Sequence, residues 1–129
     1  MLPLLNMADL VADAPSGPAR FGPPVLLDLG GRGVRSISWW RGRYLIIAGH
    51  HASGGTSMLY TWDGSGAPAP VGAVDLTGYN PEGFFTPEDR AQILLVSDDG
   101  ERVIDGVPCK KLKDPARRQF RGLWLELPR

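Results

Sequence analysis

The sequence predicts an all-β chain of antiparallel sheets, organised as about two β-propeller-type blades, an incomplete propeller. Three observations lead there. Short apolar runs recur at intervals of roughly ten residues and are separated by tight-turn signals. Gly is 17 and Pro is 12 of 129 residues, and these turn formers stand at the ends of the apolar runs rather than inside them. Two comparable sets of runs follow each other: the run at Tyr44 and the run at Ile93 begin 49 residues apart, within the ~40–50 residue period of a propeller blade. A ring needs about four to eight blades, so the chain reads as a piece of a longer propeller.

The elements follow in order. Residues 2–12 are apolar with Asn6 and Asp9 inserted. They predict an edge strand over Leu2–Leu5 and a helical turn over Met7–Ala12, with Asn6 as its N-cap. Residues 14–24 hold four Pro and two Gly and form a connector. The chain therefore divides into an N-terminal segment and connector, 1–24, and a two-blade domain, 25–129. Val25–Leu29 is a short apolar run closed by Gly30-Gly31. Val34–Trp40 alternates, with Val34, Ser36, Ser38 and Trp40 on one face and Arg35, Ile37 and Trp39 on the other. Tyr44–Gly49 is continuously apolar, as in a strand buried on both faces. Ser57–Trp62 is the next strand, closed by Asp63-Gly64-Ser65-Gly66, and Pro70–Leu76 is another.

The second round comprises a strand over 80–85, the apolar run Gln92–Ser97, a turn at Asp98-Asp99-Gly100-Glu101, and a hairpin continuing through Arg102–Ile104. Residues 105–118 read as one long polar loop, and Gln119–Leu127 as the last strand. The four Trp are expected in the core and in the seams between blades.

Charge excludes some classes. Lys plus Arg and Asp plus Glu are both 14, so the net charge is zero and gives no global attraction to nucleic acid. The charge is segregated: residues 63–105 carry nine acids against two Arg, and residues 106–129 carry seven bases against two acids. The acidic middle and basic tail are expected to lie against each other. The single Cys109 excludes an internal disulfide and is incidental. Residues 1–10 have no Lys or Arg ahead of their apolar stretch and are interrupted by Pro3, Asn6 and Asp9, so no signal peptide is assigned, nor any compartment. No apolar stretch reaches the ~20 residues of a membrane span.

Candidate channel or binding residues are Arg32, Arg35, Glu82, Asp98 and Asp99. Gly30-Gly31-Arg32-Gly33-Val34-Arg35 offers backbone amides and two guanidinium groups to an anion, or simply a turn with one Arg paired to Glu82 or Asp99. Glu82, in Asn80-Pro81-Glu82-Gly83, stands at a strand start where a carboxylate suits a cation or acts as a base. Asp98-Asp99-Gly100-Glu101 is acid-dense but lacks EF-hand spacing; a hairpin turn is the favoured reading, and a calcium site is the alternative. His50 and His51 form a candidate binding loop, although adjacent residues of an extended chain point apart and chelate poorly. His51-Ala52-Ser53-Gly54-Gly55 lacks the strand–turn–helix context of a nucleophile elbow, so no catalytic residue is assigned.

Taken in order, Leu27-Asp28-Leu29-Gly30-Gly31-Arg32-Gly33-Val34-Arg35-Ser36-Ile37, Ala48-Gly49, Leu59-Tyr60-Thr61-Trp62-Asp63-Gly64, Asn80-Pro81-Glu82-Gly83, Leu94-Leu95-Val96-Ser97-Asp98-Asp99-Gly100 and Phe120-Arg121-Gly122-Leu123 form a further pattern. It resembles the C-terminal part of the bacterial family catalogued as domain of unknown function 3616. The resemblance implies a propeller-like fold and no particular reaction. The leading functional expectation is a binding or scaffold module without catalysis of its own, for an unidentified small-molecule ligand. One alternative is a cation-dependent propeller hydrolase of phosphoesterase or lactonase type, using Glu82 with Asp98 or Asp99. The other is an interaction protein that self-associates through open sheet edges.

Overall fold

The computed structural model describes residues 1–14, 16–50, 55–87 and 90–127. The chain is all-β: its strands pair antiparallel, and among the described residues the one α-helix, α1 (Met7–Leu10), is a single turn. Among the described residues no helix is long and apolar enough to cross a membrane.

The first sheet is a four-stranded meander of β1 (Gly33–Trp40), β2 (Arg43–Gly49), β3 (Met58–Trp62) and β4 (Ala69–Pro70), in that order. The second sheet has the order β5 (Pro81–Phe85), β6 (Gln92–Ser97) and β9 (Arg121–Glu126). Between β6 and β9 a small hairpin, β7 (Val103–Ile104) with β8 (Val107–Pro108), is inserted. Two 3-10 turns, Cys109–Lys111 and Pro115–Arg117, lead to the last strand.

Side-chain alternation sets the packing. Leu45 and Ile47 on β2, Leu59 on β3 and Trp40 on β1 form one core with Ile93 and Leu95 on β6. Phe84, Leu123 and Leu125 pack against it from the other strands of the second sheet. The two sheets thus lie face to face. The opposite face of the first sheet makes a second cluster, in which Ile46, Ala48 and Tyr60 are covered by Leu29 and flanked by Leu27. Burial of both faces explains why β2 lacks alternation: Leu45, Ile46, Ile47 and Ala48 are all 0 % exposed.

The first strands of the two sheets meet at a seam, where Ser38 Oγ lies 3.2 Å from Thr86 Oγ1 and Arg35 pairs with Glu82. Both strands carry a register irregularity at these positions, between Val34 and Ser36 on β1 and between Pro81 and Gly83 on β5. A bulge re-aims a side chain, and here the two re-aimed side chains are the partners, 47 residues apart. The approach to each first strand repeats too. Leu27-Asp28-Leu29 and Val74-Asp75-Leu76 stand at the same interval. Asp28 Oδ1 accepts from Gly30 N at 2.9 Å, and Asp75 Oδ1 from Thr77 N at 2.9 Å. Leu29 and Leu76 are both buried.

Several expectations are corrected. Pro70–Leu76 is not a strand beyond Pro70, because Val71–Val74 turns on itself (Val74 N to Val71 O, 3.3 Å) and carries Val74 and Leu76 into the core. The 105–118 loop begins inside the β7–β8 hairpin, whose turn has Asp105 and Gly106 both at positive φ. Leu2–Leu5 reduces to one bridge, Leu4 to Phe21. Asn6 precedes the helical turn but makes no side-chain cap. Its amide instead clamps the connector, donating to Pro18 O and accepting from Arg20 N. Of the four Trp, Trp40 is buried, but Trp39 is 56 % and Trp124 47 % exposed.

Candidate functional site

The acidic middle and basic tail do meet. Arg121 pairs with Asp99, Arg117 with Asp105 and Lys110 with Glu101. The first of these pairs lies in a cleft of about 600 Å³ whose lining includes Arg35, Asn80, Asp98, Asp99, Arg102 and Arg121.

Asp99 is the most enclosed charge in the cleft, 4 % exposed. It follows β6, and Arg121 opens β9, the strand paired with β6 through Ser97 and Arg121. The guanidinium grips the carboxylate in a fork: Nε to Oδ2 at 2.7 Å and Nη2 to Oδ1 at 2.8 Å. Ser97 Oγ donates to Oδ1 at 2.9 Å and accepts from Asn80 N at 3.0 Å. Arg121 Nη2 also reaches Gly78 O at 2.7 Å, and its guanidinium lies 4.3 Å from the Tyr79 ring centroid. The Arg121 hydrogen bonds hold the Asp99 carboxyl below its ordinary range, with Ser97 helping and burial opposing. Arg121 is shifted up by the same partner.

Arg35 is held otherwise. It pairs with Glu82 across the seam, and its Nη2 donates to His50 O at 3.1 Å. Its Nε is buried and has no hydrogen-bond partner among the described residues. Gly49 makes room for it: a Cβ there would sit 2.1 Å from Arg35 Nε.

Of the predicted residues, the structure brings Arg35, Asp98 and Asp99 to one cleft, with Glu82 joined through Arg35. Asp98 accepts from Gly100 N and shapes the turn. Arg32 stands apart, donating to Thr56 O and Gly30 O. His50 contributes its carbonyl; His51 and Ser53 lie outside the described residues. Arg121, Ser97 and Tyr79 were not singled out as site residues. The signal for Arg121 was the charge segregation itself, which placed an excess of bases after the acids.

Chemically, the arrangement joins strands. Arg121 holds both Asp99 oxygens and Arg35 holds Glu82 Oε1, so each carboxylate is neutralised by a guanidinium from another strand. Among the described residues no three His, Cys, Asp or Glu side chains are grouped to hold a metal ion. Searches with family models, against curated proteins and against solved structures find no match to this chain.

Proposed function

We propose that the chain is a binding or scaffold module without catalysis of its own, its two sheets being consecutive propeller-type blades. The observation that carries this reading is the use made of two carboxylates, Glu82 at the start of β5 and Asp99 just after β6: Glu82 is paired to Arg35 and Asp99 to Arg121. A guanidinium on a carboxylate offsets the negative charge that would draw a cation and lowers its basicity, and Arg121 occupies both Asp99 oxygens. The repeated approach, bulge and first strand in the two sheets support the blade reading, as does the motif resemblance to the propeller-like bacterial family. The open cleft beside Asp99 and Arg121 is the place for a small polar ligand in such a module.

Calorimetry and thermal unfolding with calcium chloride, beside phosphoesterase and lactonase assays, test this against the hydrolase alternative. The expected result is no binding heat, no shift in Tm and no turnover. Calcium binding abolished by Glu82→Gln, or a hydrolase activity lost in that variant, would replace the module with the enzyme.

A further inference from the structure

The two sheets bury one face each against the other, and each has a second face that is also apolar. On the first sheet, strand pairing places Ile37, Trp39, Tyr44 and Trp62 on the outward face. Trp39 meets Tyr44 edge-on at 4.7 Å between ring centroids, and Tyr44 lies 5.3 Å from Trp62. On the second sheet, the outward face carries Phe85, Leu94, Val96 and Trp124. Ile37 is 39 % and Phe85 57 % exposed. Uncovered aromatic and aliphatic side chains gathered on one surface mark an interaction site.

The repeat says what fits there. Aligning the sheets on Tyr44 and Ile93 puts Tyr44 and Ile46 where Ile93 and Leu95 stand, and pairs Ile37 with Phe84. The outward face of the first sheet is therefore the counterpart of the packed face of the second. In the same alignment Leu94 and Val96 fall on Leu45 and Ile47, so the outward face of the second sheet is the counterpart of the packed face of the first. The segment at Leu29 belongs to this arrangement as well. It covers the outward face of the first sheet as Leu76 enters the core between the sheets.

We propose that a second copy of this chain docks head to tail, the outward face of its second sheet against the outward face of the first sheet here. The occupant is a second copy because the chain already contains that interface once, between its own two sheets. The inference rests on the blade reading above. The contact is heterologous, since two different faces meet, and it propagates until rotation closes it. With two blades per chain and about four to eight blades per ring, closure comes at about two to four copies.

Sedimentation velocity over a range of concentrations reads the result. Wild type should run at two to four times 14.0 kDa. Trp39→Glu, blocking one face, and Trp124→Glu, blocking the other, should each run near the single-chain mass with an unchanged circular dichroism spectrum. An equimolar mixture of the two should give a dimer and nothing larger, because one competent face of each kind remains. If either Glu variant loses its fold, Trp39→Ser and Trp124→Ser take the same test. A wild type of single-chain mass at every concentration overturns the proposal, as does a mixture that fails to dimerise or an assembly indifferent to both variants. A single-chain mass with inter-sheet contacts intact by NMR sinks the assembly and spares the blade reading; loss of those contacts sinks both.

Discussion

Arg121→Leu is expected to destabilise the fold by about 3 kcal/mol at neutral pH, measured by chemical denaturation. Removing one member of a buried ion pair leaves the other charge uncompensated, at about 3–5 kcal/mol. The lower end applies because the Arg121 side chain is 31 % exposed and partly screened, whereas the Asp99 side chain is 3 % exposed. The sign with pH is fixed by Asp99. Its folded-state pKa is depressed below the ordinary 3.8. In wild type its contribution is therefore complete above that ordinary value and is lost as pH falls through the lower folded value. In the variant, burial without a guanidinium pushes the same pKa up, so the penalty is present at neutral pH and fades on protonation. Both effects narrow the gap in acid: the difference between the two proteins should begin to shrink above the ordinary carboxyl value, as Asp99 of the variant protonates, and go on shrinking as pH falls through the lower value of the wild type. A gap constant from neutral to pH ~3 would show that Arg121 acts through packing on Tyr79 rather than through charge.

Ile47→Ala is expected to cost about 3–4 kcal/mol. Ile47 is fully buried and belongs to the core between the two sheets, so truncation removes transfer energy and leaves a cavity lined by both. Against a typical total of about 5–15 kcal/mol, that brings the chain close to its unfolding threshold. Leu26→Ala makes the comparison: at 90 % exposure it should change stability by less than about 0.5 kcal/mol. Equal losses at the two positions in urea unfolding would mean that the interface between the sheets is not the core.

Much of the strand pattern was legible because burial imposes it. The continuous run at Tyr44–Gly49 signals a strand covered on both sides, and β2 is that strand. Alternation from Val34 to Trp40 separates the two faces of β1, although the bulge at Arg35 interrupts the ladder. Elements of two residues carry no period: Arg102–Ile104 reads as a hairpin continuing from β6, but β7 pairs with β8, whose residues fall in the expected loop, and β6 pairs with β9. The Asp105-Gly106 turn between β7 and β8 was nevertheless a usable signal, since both residues need positive φ. Assigning Pro70–Leu76 to a strand concealed the second copy of the approach segment, Val74-Asp75-Leu76, and with it the match to Leu27-Asp28-Leu29. The site was legible only in part. Asp99 is visible within an acidic turn, but its partner lies 22 residues on, and only strand pairing brings the two together. The exposed Trp39 and Trp124 were misplaced for a related reason: composition says that a Trp is bulky and apolar, and topology decides which face of a sheet it occupies.

The chain stacks two repeated sheets face to face, with β1 and β5 at the seam. Methyl NOE spectroscopy on Ile-, Leu- and Val-labelled protein tests this stacking most directly. Cross-peaks are predicted from the methyls of Leu45 and Ile47 to those of Ile93 and Leu95, with Ile46 showing its contacts to Leu29 instead. Cross-peaks from Ile46 to Ile93 and Leu95, with none from Ile47, would contradict the account.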